Sequence, residues 1–298
     1  MVYIILISFV FLISIIFYQY RILKLKNEII QNKKFIDQTI ETTKTKNYEI
    51  VSSLNYAHEI QKALLPREES IKRCLPLSFT LYRPKDIVGG DFFWFHKIED
   101  GHLILICADC TGHGIPGALM TILGNSALHQ VIIERKIYEP SRILNELDKI
   151  VTATLKQKNN KYKTIQDGLD LSVVNVNKHK KEILFGAAKH KSALFLDGKL
   201  IELKGDRCSI GGSGEKNFSQ QQFNFNEDDS IYLFSDGYVD QFGGPNDKKF
   251  STARLFDLLS QIHQNSIPEQ QKTIEKEIND WIGVNEQTDD ITLIGIKF

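Results

Sequence analysis

The chain has 298 residues, 42% hydrophobic and 25% charged, enough for one large globular domain with extensions. Its 37 basic residues balance 37 acidic ones, which argues against a nucleic-acid binder with the usual basic surplus. Four cysteines, Cys74, Cys107, Cys110 and Cys208, are too few and too scattered for a disulfide framework and suit a reducing compartment.

Residues 2–18 carry no charge and are almost wholly Ile, Leu, Val and Phe. That run reaches the lower end of the roughly 17–25 residues a helix needs to cross a bilayer. Tyr18 and Tyr20 suit the aromatic belt at its edge. A cleaved signal peptide would begin with Lys or Arg and end at small residues, but no Lys or Arg precedes the apolar run and Tyr18-Gln19-Tyr20-Arg21 offers no small-residue site. Residues 1–20 are therefore expected to form an uncleaved single-pass anchor in the cell membrane. Arg21, Lys24 and Lys26 follow at once and place the rest of the chain in the cytoplasm. So short an N-terminus leaves no room for an outside sensor domain.

Residues 21–65 read as a linker helix uninterrupted by Gly or Pro. Ile22, Ile29, Ile36, Thr43, Ile50, Ala57 and Leu64 recur every seventh residue, whereas the companion seam through Leu25, Asn32, Thr39, Lys46, Ser53 and Ile60 is mostly polar. One good seam beside a poor one predicts a weak parallel coiled coil, and with it a homodimer.

Residues 66–298 read as one mixed domain. Short apolar runs bounded by turn signals predict strands at 78–82, 91–95, 103–108, 169–176, 182–185, 193–196, 230–234 and 291–296. Asp197-Gly198 predicts a hairpin joining 193–196 to 200–203. Helices are expected at 116–134, 141–156, 252–263 and 268–281, the first with Ile115, Leu119, Ile122 and Leu123 on its apolar face. Residues 103–108 are apolar on both faces, as in a strand covered on two sides. Strands in hairpin order predict antiparallel sheets with helices outside them. The basic run 156–163 reads as a solvated loop, with a surface for a phosphorylated partner as the functional alternative.

Four aspartates stand at strand ends or glycine turns: Asp91, Asp109, Asp236 and Asp289. Converging carboxylates without matching His or Cys favour Mg²⁺ or Mn²⁺ over Zn²⁺ or Cu²⁺. Taken alone, Asp109 could equally cap a helix; the company of the other three makes the metal reading stronger. Gly112-His113-Gly114-Ile115-Pro116-Gly117 spells a dinucleotide fingerprint, but Asp109 and Thr111 crowd the place a pyrophosphate would take. Cys107 and Cys110 have redox spacing beside an acidic residue that would raise a thiol pKa, against reactivity. His58-Glu59 lacks a second zinc-helix histidine, since Lys62 stands in its place. His113 reads as a turn residue or as a proton donor.

The runs Arg83-Pro84-Lys85-Asp86-Ile87-Val88-Gly89-Gly90-Asp91, Ala108-Asp109-Cys110-Thr111-Gly112-His113-Gly114, Phe234-Ser235-Asp236-Gly237 and Thr288-Asp289-Asp290-Ile291-Thr292 together resemble the SpoIIE-like branch of the metal-dependent (type 2C) serine/threonine phosphatases. Residues 60–66 resemble its lead-in, so the likeness covers about 60–298. It implies an α+β fold, a four-layer αββα sandwich of two antiparallel sheets flanked by helices, with two Mn²⁺ or Mg²⁺ ions at one edge. Carried over, Asp91, Asp109, Asp236 and Asp289 are metal ligands, Asp109 bridges, and Cys110 contributes its backbone carbonyl. Asp290 stands where the family usually has Asn. Thr111 stands where the wider family has His, with His113 shifted, and Arg83 or Lys85 substitutes for the phosphate-holding arginine. The resemblance implies direct hydrolysis of phosphoserine or phosphothreonine on a protein, with STAS-type anti-anti-sigma factors as partners. A tethered, non-catalytic scaffold that keeps the fold is the competing expectation.

Overall fold

Runs of β-branched and aromatic residues, apolar on both faces, build the centre of the protein. The computed structural model describes residues 1–98, 101–157 and 167–298. The chain divides into two compact units, Met1–Asn55 and Tyr56–Phe298. The basic run 156–163 lies mostly outside the described residues, and only Lys156 and Gln157 belong to them.

The first unit is helical throughout, part of helix α1 (Val2–Leu64). It contains one stretch long and apolar enough to cross a membrane, a test that core helices and signal sequences also pass. Ile29, Ile36 and Ile50 of the heptad seam are exposed in the single chain.

The second unit begins with the end of α1 and continues through α2 (Glu68–Cys74), β1 (Ser78–Arg83), β2 (Phe92–Lys97) and β3 (His102–Cys110). Then come α3 (Gly114–Leu128), α4 (Pro140–Thr154), β4 (Leu169–Asn177), β5 (Glu182–Ala188), β6 (Lys191–Leu196) and β7 (Lys199–Lys204). The remainder is β8 (Gln221–Asn224), β9 (Ser230–Phe234), α5 (Asp236–Asp240), the ribbon β10 (Phe242–Gly243) and β11 (Lys248–Lys249), α6 (Thr252–Ile262), α7 (Ile267–Ile282) and β12 (Ile291–Lys297).

Two antiparallel sheets result, in the orders β1-β12-β9-β6-β7 and β2-β3-β4-β5-β8. Side chains alternate along a strand, so each sheet has two apolar faces to cover. Phe93, Leu105, Val174 and Phe185 meet Leu194, Ile231, Leu233 and Ile294 between the sheets. Ile104, Ile106 and Val173 pack outward against Leu128, Ile132, Ile143 and Leu147 of the α3–α4 layer. Phe79, Tyr232 and Leu293 pack against Leu255, Leu259, Ile274 and Ile278 of α6 and α7. Each such side chain contributes about 1.5–3 kcal/mol on burial, so the four αββα layers fix where the strand ends point.

The structure departs from the sequence reading at β3 and α3 and adds the short elements α2, β8, α5, β10 and β11. Asp109 and Cys110 lie inside β3 rather than in the turn after it. The helix expected to run unbroken to residue 134 changes at Leu128 into a single π-helical turn, His129–Glu134. On α3, Ile115, Leu119 and Ile122 are exposed, and the buried face is Gly117, Ala118, Met120, Thr121, Gly124, Ala127 and Leu128. Small residues face inward because the helix lies close to the sheet: a Cβ on Gly124 would crowd Leu169 and Phe92. Finally, β3 is followed by α3 and α4 and then by β4 as its antiparallel neighbour. The G-x-G-x-x-G run therefore opens no βαβ unit, which removes the dinucleotide reading.

Candidate metal centre

The aspartates gather because three separate elements end at one edge of the sandwich. Asp109 is on β3, Asp236 is the first residue of α5 after β9, and Asp289 stands two residues before β12. Together with Cys110, Thr111, Gly112, Asp170, Lys189 and Ser209 they line a cavity of about 220 Å³. Size alone would choose elsewhere. A cavity of about 470 Å³ lies among the end of α1, α2, β1 and β2, and one of about 670 Å³ beside Asp148 and Lys216. Neither gathers comparable carboxylates, so chemistry selects the smaller one.

Asp91 does not line this cavity. It is only 2% exposed, and its Oδ2 is buried without a hydrogen-bond partner. Its backbone is tightly held. Asp290 Oδ2 accepts from Gly90 N at 2.5 Å and Asp91 N at 3.3 Å, while Oδ1 accepts from Lys85 N at 2.7 Å. Tyr82 Oη donates to Asp91 O at 3.2 Å. Gln61 clamps the next loop residue twice: Nε2 donates to Gly89 O at 2.6 Å, and Gly89 N donates to Oε1 at 3.2 Å. Thr121 Oγ1 donates to Gly90 O at 3.0 Å. Gly90 is required where this loop crosses the Asp109 turn, because a Cβ would run into the Gly112 carbonyl. The turn itself uses positive φ at Gly112 (89°) and Gly114 (64°).

The electrostatics are those of crowded carboxylates. Burial, then the charges of Asp91, Asp236, Asp289 and Asp170, push Asp109 up to about 10. Burial raises Asp91 well above the usual range, the Ser235 and Thr292 hydroxyls pull it back, and Asp290 and Asp289 raise it again. Asp236 is raised by burial first and then by Asp289 and Asp240. Two like charges about 4 Å apart repel by roughly 4 kcal/mol at an effective dielectric near 20. A protein holds such a cluster when a cation offsets it, and an all-oxygen donor set suits a hard divalent ion. The unpaired Asp91 Oδ2 and this donor set fit Mg²⁺ or Mn²⁺. As the side chains stand, no group of three or more His, Cys, Asp or Glu among the described residues could hold a metal ion.

The remaining candidates are engaged elsewhere. The Asp290 carboxylate faces backbone amides, so it positions the Asp91 loop instead of the cavity. His113 places Nδ1 2.7 Å from Asp86 Oδ2 and Nε2 3.3 Å from Lys85 Nζ, and does not line the cavity. Arg83 donates to Asn279 Oδ1 at 2.8 Å. Thr111 exchanges hydrogen bonds with Gly168, tying β3 to the approach to β4. Cys107 and Cys110 are buried free thiols pushed up by burial, consistent with unreactive positions. Asp170, Lys189 and Ser209 are cavity residues the sequence reading missed. Asp170 is the register partner of Asp109 on β4, and its one sequence signal is a lone acid inside the apolar run Leu169-Asp170-Leu171.

The model of the family described as Stage II sporulation protein E (SpoIIE) matches residues 99–298. The chain belongs to the SpoIIE family. Among solved structures it is similar to the SiaA-PP2C domain of Pseudomonas aeruginosa, with a TM-score of 0.76 and 31% identity, covering 85% of this chain and 98% of that one. It is also similar to two proteins of Bacillus subtilis (strain 168). Phosphoserine phosphatase RsbU is 24% identical over 206 residues, 68% of this chain and 58% of that protein. Phosphoserine phosphatase RsbP is 23% identical over 223 residues, 72% of this chain and 51% of that protein. The chain thus spans about half the length of these curated relatives. The αββα sandwich is that of the PP2C fold.

Proposed function

We propose that the protein is a metal-dependent phosphatase that hydrolyses phosphoserine or phosphothreonine on a regulatory protein. One observation carries the reading: Asp109, Asp236, Asp289 and Asp170 converge on one cavity, and a buried oxygen of Asp91 beside them lacks a partner. Two Mn²⁺ or Mg²⁺ ions would be held by Asp91, Asp109, Asp236 and Asp289 with the Cys110 carbonyl. When bound, such ions acidify water and offset phosphate charge. The protein's own share is orientation. Asp290, Gln61 and Tyr82 hold the loop that carries Asp91, and β3 holds Asp109 rigidly against Asp170. Among the described residues, four acids against one base in the lining suit cations and leave phosphate contacts to the rim.

The substrate reading is supported by the name phosphoserine phosphatase borne by both curated relatives. A phosphorylated STAS-type protein is the substrate we favour. The apolar stretch of α1 supports a single-pass anchor, and Arg21, Lys24 and Lys26 support a cytoplasmic catalytic domain. The exposed heptad residues of α1 support a homodimer through the linker.

The test is turnover of p-nitrophenyl phosphate, then of phosphoserine proteins, by the full chain with Mn²⁺, with Mg²⁺ and with chelator. Hydrolysis should require a divalent ion. Asp109→Asn and Asp236→Asn should each lower kcat by at least about 100-fold, the scale seen when one charge-stabilising group is removed. Full Mn²⁺-dependent turnover in both variants would discredit this site, and absence of turnover with either ion would favour the non-catalytic scaffold.

A further inference from the structure

Lys189 is the one basic side chain among the described residues lining the carboxylate cavity. It sits at the corner where the chain leaves β5 in one sheet for β6 in the other. The corner is fixed from both sides. Lys189 N donates to Asp206 O at 2.7 Å, and Gly205 N donates to His190 O at 3.0 Å. His190 is turned inward, 5% exposed, with Nδ1 3.3 Å from Ser172 Oγ, and burial lowers it to about 4. Lys189 is turned outward, with Nζ 3.4 Å from Asp170 Oδ2 and a side chain 60% exposed.

Stability does not account for a lysine here, because an ion pair this exposed stabilises little. Backbone conformation does not account for it either. Its φ of 57° is shared by Lys136 (53°), Lys156 (54°) and Lys181 (51°), none of which lines this cavity. Position is what sets it apart. A phosphate monoester entering among carboxylates needs a cationic partner for its outer oxygens, and Arg83 and His113 are engaged elsewhere.

We propose that Lys189 holds the phosphoryl group: its ammonium leaves Asp170 and donates to a non-bridging oxygen of the bound phosphate monoester. This rests on the phosphatase reading and adds a residue to it. Asp170 keeps the ammonium at the cavity rim between turnovers. An ammonium on a flexible stem follows phosphate as a point charge. The contact therefore favours monoesters, with two negative charges, over diesters with one.

The test uses the full chain with Mg²⁺ and compares Lys189→Met with Lys189→Arg. It measures p-nitrophenyl phosphate kinetics, calorimetric binding of inorganic phosphate, and the thermal midpoint. Lys189→Met should raise KM and the phosphate dissociation constant about tenfold, as expected for loss of one charge-assisted hydrogen bond. Its kcat should stay within about threefold, its thermal midpoint should not move, and Lys189→Arg should recover most of the affinity. Unchanged phosphate binding in Lys189→Met overturns the inference and leaves the phosphatase reading standing. So does a lowered thermal midpoint with phosphate affinity intact, the mark of a structural ion pair. A full chain without metal-dependent turnover overturns the phosphatase reading, and this inference with it.

Discussion

The carboxylates at the sandwich edge and the polar group around Asp148 both touch segments that line one cavity, but they are built on opposite rules. Around Asp148 the buried carboxylate has its complement. Lys216 Nζ lies 3.0 Å from Asp148 Oδ1, and it also donates to Ser209 O at 2.8 Å and to Gly211 O. Gly211 N donates to Asp148 Oδ1 at 2.8 Å, Gly212 N to Gln157 Oε1 at 2.5 Å, and Gln157 Nε2 to Asp167 O at 2.7 Å. At the sandwich edge, acids crowd acids and Asp91 Oδ2 has no partner. The first arrangement is finished as folded and has no need of a ligand. The second lacks positive charge, and that deficit is its chemical meaning.

The largest effect should come from supplying or withholding that charge. A divalent ion at about 100 times its dissociation constant adds roughly 2.7 kcal/mol per site. For a domain of this size that is a rise of about 5–10 °C in thermal midpoint. Without divalent ions the pH dependence has a definite sign. The folded Asp109 keeps its proton up to about 10, whereas an unfolded aspartate releases it near 3.8. Its contribution is therefore fully present below the unfolded value and is lost as pH rises toward about 10. Asp109→Asn should flatten that slope, stabilise the metal-free protein and abolish part of the metal response. Scanning calorimetry with chelator and with Mg²⁺ checks all three. A metal-free midpoint independent of pH in both proteins would erase the contrast between the two clusters.

The opposite outcome is expected at the paired cluster. Lys216→Met leaves Asp148 without its cation at a site where the two side chains are 10% and 16% exposed. Breaking a fully buried pair costs about 3–5 kcal/mol, and partial exposure reduces this to roughly 2 kcal/mol. Denaturant unfolding should record that loss equally with and without divalent ions. A loss that appears only in the presence of metal would mean the segment bearing Ser209 belongs to the metal centre.

The contrast also explains what was legible in the sequence. Motifs drew attention to Asp109, Asp236 and Asp289, which line one cavity, because each sits beside a glycine or at the end of an apolar run, a local signal. Helices α4, α6 and α7 were legible for the same reason: their large apolar residues face the core. Asp170 and Lys189 were not, because they reach the cavity through the pairing of β3 with β4 and through a corner between sheets. Such register is a long-range property with no local trace. The face of α3 was misread because periodicity assumes that large residues point inward. There, close approach of helix and sheet admits Gly117, Ala118, Gly124 and Ala127 instead, and leaves Ile115, Leu119 and Ile122 outside. Asp290 was carried over because it stands where the family usually has Asn; its carboxylate accepts from the backbone amides of Lys85, Gly90 and Asp91, contacts that no local signal announces.

Gln61 provides the smallest and most discriminating effect, because it belongs to neither cluster and yet touches one through the backbone. It is the one buried residue of α1, and its amide meets both the N–H and the C=O of Gly89, two residues before Asp91. Gln61→Ala removes two hydrogen bonds and leaves the buried Gly89 N–H unpaired, a loss of about 1–3 kcal/mol if no water reaches it, whereas Gly89 O keeps the Thr121 hydroxyl at 3.3 Å. If the clamp only stabilises the fold, denaturant unfolding will shift while metal affinity stays constant. If it orients Asp91, the apparent affinity for Mn²⁺ in a turnover titration should weaken by about three- to tenfold, with kcat at saturating metal nearly restored. Gln61→Glu separates the cases further: its carboxylate still accepts from Gly89 N but cannot donate to Gly89 O. An Mn²⁺ affinity between those of the wild type and Gln61→Ala would tie metal binding to this pair of hydrogen bonds, and identical affinities in all three proteins would exclude that role.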